Sequence, residues 1–183
     1  FSTITADATL TVLTILIGNA ASNSWTITAL NRGNFNPSTG SDGQNTVEII
    51  NFSNLTGNSL IDEFIINSGG WINGLLSGGD NSTASEADTL SIVALGARTI
   101  QLGNIIPPSS ELHVDKIETI TASNLTTNIL KSDNTASDWL IDGLNSGSVK
   151  PTLGAGGQNT IAFIDFNNIQ GGTEADTFTI GAA

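Results

Sequence analysis

The chain has 183 residues and a formal net charge of −12, from 17 acidic and 5 basic side chains. That balance argues against nucleic acid as a partner, because neutralising phosphates takes clustered Lys and Arg. With no cysteine, it also excludes disulfides and thiol chemistry. Charged residues make up only 12%, so this is not a highly charged disordered chain, and one domain with a sizeable core is expected.

Thr and Ile favour a pleated, half-buried surface, whereas Asn and Gly favour turns. In chain order, apolar runs between Gly/Asn/Ser corners predict strands over residues 9–17, 25–30, 46–52, 62–66 and 71–75. Further strands are predicted over 88–94, 98–102, 112–121, 125–130, 139–141, 160–166 and 176–180. No window sustains a 3.6-residue apolar period, so little or no helix is expected. The apolar run 10–17 is too short to cross a bilayer and has no basic flank, so it reads as a buried strand and not as a signal peptide or membrane span. A chain starting at Phe1 reads as a processed form or a fragment. Pro107-Pro108-Ser109-Ser110 reads as a loop or seam. The Asn-X-Ser/Thr sites at Asn51, Asn54, Asn81 and Asn124 read as chance in so Asn-rich a chain.

Residues 24–66 lie over 138–180 without a gap, at an offset of about 114 residues and with about 18 of 43 positions identical. Gly-Gln-Asn-Thr is kept whole, at Gly43 to Thr46 and Gly157 to Thr160. A long fixed period indicates stacking of one unit. Smaller landmarks (Trp25, Val47 and Trp71; Asp62 and Asp88) return at about 22 to 26 residues, about one turn of a parallel β-solenoid. The expected fold is all-β, a parallel β-solenoid (β-helix) with irregular corner loops. It forms a single domain over 1–183, with related units at about 3–66 and 116–180 joined by 67–115.

Two themes recur in phase. Trp25, Trp71 and Trp139 each open an apolar segment. They are candidate carbohydrate-stacking residues, and their recurrence with the repeat favours burial in the core instead. Gly-Gly followed by an acidic segment appears as Gly171-Gly172-Thr173-Glu174-Ala175-Asp176-Thr177-Phe178. It appears again as Gly78-Gly79-Asp80 with Glu86-Ala87-Asp88-Thr89-Leu90. Asp80, Asp88, Glu174 and Asp176 are therefore candidate calcium ligands, since calcium takes oxygen donors. The competing reading is that each Asp closes a turn by bonding to backbone.

Together, Trp25, Asn31, Phe52-Ser53-Asn54-Leu55-Thr56-Gly57, Asp62, Phe64, Gly69-Gly70, Gly74, Gly78-Gly79 and Asp88-Thr89-Leu90 resemble a family. The pattern is similar to the β-strand repeats of giant bacterial surface and secreted proteins, of the haemagglutinin-like and RTX-adhesin type. The resemblance implies a parallel β-solenoid, export to the cell surface or medium, and a role as stalk, adhesin or matrix component. It also implies calcium between turns where Gly-Gly-X-Gly-X-Asp-X-apolar repeats in tandem. Here Glu174 replaces the third glycine and only one near-complete copy exists, so no calcium β-roll is assigned.

Catalysis finds little support in the sequence. His113, the single histidine, lies between Leu112 and Val114 and is expected on the surface. Arg32, Arg98, Lys116, Lys131 and Lys150 are scattered, which disfavours a polysaccharide-active β-helix enzyme. Thr-X-Thr steps are too sporadic for an ice-binding array. The expectation is a non-enzymatic, extracellular structural protein at the bacterial cell surface, without membrane insertion and with an unidentified receptor or glycan ligand. The alternative is a filament subunit that self-associates end to end by stacking or strand donation.

Overall fold

The computed structural model describes residues 2–7, 14–37, 46–81, 86–93, 97–103, 111–123, 128–151 and 160–181. Residues 9–13 of the first predicted strand, 43–45 and 157–159 of the shared Gly-Gln-Asn-Thr, residue 94, the 107–110 seam and 124–127 (including Asn124) lie outside them. Among the described residues the chain is all-β, and no helix is present.

Eighteen strands follow in order. They are β1 (Ser2–Thr5), β2 (Ile15–Ile17), β3 (Asn23–Ala29), β4 (Arg32–Pro37), β5 (Val47–Ile50) and β6 (Asn54–Thr56). Next come β7 (Asp62–Ile66), β8 (Leu75–Ser77), β9 (Thr89–Ile92), β10 (Thr99–Leu102), β11 (Leu112–Asp115) and β12 (Thr119–Thr121). The last are β13 (Ile129–Lys131), β14 (Ser137–Gly143), β15 (Ser146–Pro151), β16 (Ile161–Ile164), β17 (Asn168–Gln170) and β18 (Thr177–Ile180).

The strands form two sheets. The large sheet runs β1-β5-β4-β3-β7-β9-β12-β16-β15-β14-β18, and the small one β17-β13-β10-β11-β8-β6-β2. The chain alternates between sheets except at two hairpin excursions, β3–β4–β5 and β14–β15–β16, and at β10–β11. Every pairing in the small sheet is parallel. In the large sheet the strands of the two excursions pair antiparallel, a departure from the purely parallel stacking expected. Their middle strands read as turns in sequence: Arg32-Gly33-Asn34-Phe35-Asn36-Pro37 is rich in turn formers. Pairing on both sides with β3 and β5 overrides that local preference.

The sequence repeat is a structural repeat. β2 to β6 recur as β13 to β17, and both hairpins carry a register irregularity at the same place, Ile27/Ala29 and Ile141/Gly143. Asn31 and Asn145 take left-handed backbone angles at matching turns, as do Asn51 and Asp165. Asn and Asp tolerate that region better than other side chains with a Cβ.

Period-2 burial explains the packing, as in Asp62–Ile66, where alternate residues are buried. Trp25, Phe64, Leu90, Ile120, Phe163 and Trp139 from the large sheet share one core with Leu55, Leu76, Val114, Ile100 and Leu130 from the small sheet. Asn54 is buried and ties β6 to the segments beside it, at Thr14 before β2 and Leu75 of β8. Its side-chain amide donates to the Thr14 carbonyl at 3.3 Å, and its oxygen accepts the Leu75 amide at 2.8 Å. His113 corrects an expectation: it faces away from Leu112 and Val114 yet is buried, beside the Glu111–Lys131 ion pair. Burial holds its pKa below the ordinary histidine value.

Candidate functional site

The strand entries of the large sheet carry a ladder of carboxylates. Asp62 opens β7 opposite Asn23 of β3. Asp88 immediately precedes β9, and Glu118 immediately precedes β12. The Asp62 amide donates to Asp88 Oδ1 at 2.7 Å, and the Asp88 amide donates to Glu118 Oε2 at 2.7 Å. Asp62 itself accepts the Asn23 side-chain amide at 2.6 Å and the Asn58 backbone amide at 2.8 Å. In the second unit the Ser137 amide donates to Asp176 Oδ1 at 3.0 Å. A backbone amide at one strand entry is thus held by a carboxylate at the entry of the neighbouring strand, a charge-assisted bond stronger than a neutral one.

Glycine makes room for each of these aspartates. An added Cβ at Gly57, Gly78 or Gly171 would lie 2.4, 2.1 or 2.1 Å from an Oδ2 of Asp62, Asp88 or Asp176 respectively. This is the physical content of the Gly…Asp theme: four residues lie between the pair in Gly57/Asp62 and Gly171/Asp176, with a longer excursion between Gly78 and Asp88.

The electrostatics are concentrated at Asp88, which is fully buried. Burial pushes its pKa up to about 7. The Asp62 amide opposes this, the nearby Glu118 charge adds to it, and the Asn81 bond opposes it again. Asn81 bridges the two carboxylates, donating at 3.2 Å to Asp88 Oδ2 and at 3.2 Å to Glu118 Oε2. Burial also raises Asp62 and Asp115. The Trp25 indole N–H helps hold the Asp62 charge from outside normal hydrogen-bond geometry.

A pH dependence follows. Asp88 binds its proton more tightly folded than unfolded, so its contribution to stability is complete below about pH 3.8. It is lost as pH rises through about 7. Asp88→Asn is expected to flatten this fall. Relative to wild type, the variant gains about 2–4 kcal/mol between pH 4 and pH 8. Urea unfolding at the two pH values checks it, and an unchanged slope would refute the assignment.

Of the candidate calcium ligands, Asp80 is exposed and paired with Lys116. Asp88 and Asp176 accept N–H groups, and Glu174 is exposed. Among the described residues, no three His, Asp or Glu side chains converge as a metal site. Trp25 and Trp139 are core residues with no face in solvent. Trp25 packs on Phe35 and Phe64, and Trp139 on Phe163 and Phe178. Trp71 is half-buried, with the Arg98 guanidinium 4.7 Å from its ring centre. Sequence reasoning missed Glu118 and Asn81, which lie 30 and 7 residues from Asp88. It used Asp62 as a repeat landmark and within the family resemblance, not as a site residue. The Gly-to-Asp spacing was the available signal.

Comparison with protein-family models found no match, and none was found among curated proteins or solved structures.

Proposed function

We infer that this chain is a non-enzymatic structural protein of the bacterial exterior, a β-solenoid stalk or adhesin repeat. The observation that carries the reading is the recurrence of one unit along both sheets, locked between layers by backbone-to-carboxylate bonds. Such construction extends by adding layers and needs no closed active site. Acidity and lack of cysteine suit export, where low charge density on Lys and Arg also limits adhesion to anionic membranes.

A second reading is a filament subunit joined end to end, favoured by the exposed apolar residues on the two edge strands of the large sheet. For a polysaccharide-active enzyme, basic residues would have to gather with acids in a cleft. Instead the ion pairs lie apart, Arg32 with Glu48, Lys116 with Asp80 and Lys131 with Glu111.

Antibodies to the purified chain should label intact producing cells, and X-ray scattering in solution should give an elongated particle. Labelling only after lysis, or a compact particle, would overturn the stalk reading. Running the scattering with calcium and then with chelator adds a further outcome: lengthening or stiffening only with calcium would assign the ion a structural role.

A further inference from the structure

Among the described residues, the edge strands of the large sheet are β1 and β18. Each resembles in sequence a strand that is paired inside the same chain. The segment leading into and through β9 reads Glu86-Ala87-Asp88-Thr89-Leu90-Ser91-Ile92, and that of β18 reads Glu174-Ala175-Asp176-Thr177-Phe178-Thr179-Ile180. β12 and the next residue read Thr119-Ile120-Thr121-Ala122, and β1 and the next residue read Thr3-Ile4-Thr5-Ala6. Within the chain β9 and β12 are direct neighbours, parallel, in the register Thr89↔Thr119, Leu90↔Ile120, Ser91↔Thr121. β18 thus shares with β9 the preceding Glu-Ala-Asp and the pattern Thr-X-X-Ile, and β1 shares Thr-Ile-Thr with β12, the partner of β9.

We propose that β18 of one copy pairs in parallel with β1 of a second copy, in the register Thr177↔Thr3, Phe178↔Ile4, Thr179↔Thr5, as β9 pairs with β12.

The hydrogen-bonding polarity agrees. The Ala122 amide donates inward to Ile164, while the Thr119 amide donates to Asp88 across the β9–β12 joint. The Ala6 amide likewise donates inward to Ile50, so by strand alternation the Thr3 and Thr5 amides point out of the free edge. On the other side, the Val93 amide donates back to Ile66 of β7, and the Gly181 amide back to Ile141 of β14. The Phe178 and Ile180 amides therefore point outward, where Thr3 and Thr5 carbonyls would accept them.

The side chains agree as well. Leu90, Ile120 and Ile92 are 0, 0 and 3% exposed, while their counterparts Phe178, Ile4 and Ile180 are 47, 43 and 75% exposed. Pairing would bury all three. Just before the paired residues, Ser2 stands where Glu118 stands before β12. The carboxylate whose charge helps raise the Asp88 pKa is thus absent from the joint beside Asp176. The net charge of −12 opposes association of copies, so raising the salt concentration should strengthen it.

The inference rests on the stacked-layer reading above. Sedimentation of the 183-residue chain should show concentration-dependent oligomers. Ile4→Asp and Ile180→Asp should each weaken association at least about tenfold, because each places a charge in the apolar column. Mixed in equal amounts, the two variants should form dimers and nothing longer, since each keeps one intact edge. The chain has no cysteine of its own, so the Thr5→Cys/Thr179→Cys double variant should give a detergent-resistant ladder on oxidation. Thr5→Cys/Thr177→Cys, out of register, should not. The cysteine pair keeps the test decisive if an Asp variant fails to fold, which circular dichroism would reveal. Association unaffected by both Asp variants, or equal cross-linking by both cysteine pairs, would overturn the joint. A wild-type chain that stays monomeric but scatters as an elongated particle would overturn the joint alone. A compact particle would remove the stacked-layer reading beneath it.

Discussion

Trp25→Ala is expected to lower the unfolding free energy by about 3–5 kcal/mol, measured by urea unfolding at pH 7 with circular dichroism. The indole is fully buried between two rings, with the Phe35 centroid at 4.3 Å and Phe64 at 5.8 Å in a near-parallel stack. Phe64 is in turn covered by its neighbour in the sheet, Leu90 of β9. A cavity at Trp25 is therefore walled on both sides by strands that are themselves paired, and it cannot collapse cheaply. The repeat supplies an internal control. Trp139 makes the matching stack on Phe178 at 5.5 Å, but Phe178 lies on an edge strand and is half exposed. In dilute solution, with copies apart, solvent reaches that side, so Trp139→Ala should cost at least about 1 kcal/mol less than Trp25→Ala. At concentrations where the β18–β1 joint forms, the edge is covered and the two costs should converge; equal costs in dilute solution would refute the role given to the exposed edge. The two units share a sheet through β9, so Trp25→Ala should shift one cooperative transition and not split it.

The parts of this fold that were legible in the sequence are those where neighbours in the chain decide the outcome. The apolar run that ends Asp62-Glu63-Phe64-Ile65-Ile66 predicts a strand, and β7 occupies those residues. The 114-residue repeat needs only comparison of the chain with itself, and it reappears as paired hairpins with a matching irregularity. What could not be read depends on contacts between distant residues. β4 and β15 look like turns because Gly, Asn, Ser and Pro dominate them, and only their two antiparallel neighbours make them strands. The predicted strand over 112–121 breaks into β11 and β12 at Lys116, which takes a left-handed backbone angle. No local preference of lysine foretells that. Asp88 stood out in sequence as an oxygen donor, yet its partners are the amide of Asp62, 26 residues back, and Glu118, 30 residues on. His113 shows the same limit. Alternation gave the direction of its side chain but could not tell that this side is covered.

Gly78→Ala is expected to destabilise the fold by about 3 kcal/mol or more, near the upper end for overpacking a buried site. The new Cβ would sit 2.0 Å from the Lys116 carbonyl oxygen and 2.1 Å from Asp88 Oδ2. Neither can step aside freely. The Gly78 amide is bonded to the Asp115 carbonyl at 3.1 Å, which fixes the backbone beside Lys116. Asp88 is anchored by the Asp62 amide and by Asn81. Gly69→Ala is the contrasting case. Gly69 has φ +82, but its nearest neighbour beyond the adjacent residues is 3.7 Å away. Its cost is conformational strain of about 1–2 kcal/mol without a clash. The ladder then predicts an order among its own glycines. Gly57→Ala meets both a backbone oxygen, that of Gly78 at 2.1 Å, and Asp62, so it should rank with Gly78→Ala. At Gly171 the three atoms nearest an added Cβ all belong to the Asp176 side chain and none is a backbone oxygen, so Gly171→Ala should cost least of the three. Removing the carboxylate separates the two clashes at Gly78. Asp88→Ala should recover part of the loss in the Gly78→Ala background while being destabilising alone, a coupling that a double-mutant cycle reads directly. Strict additivity would mean that Gly78 and Asp88 do not share the space, and that glycine is kept there only to let the backbone pass beneath Lys116.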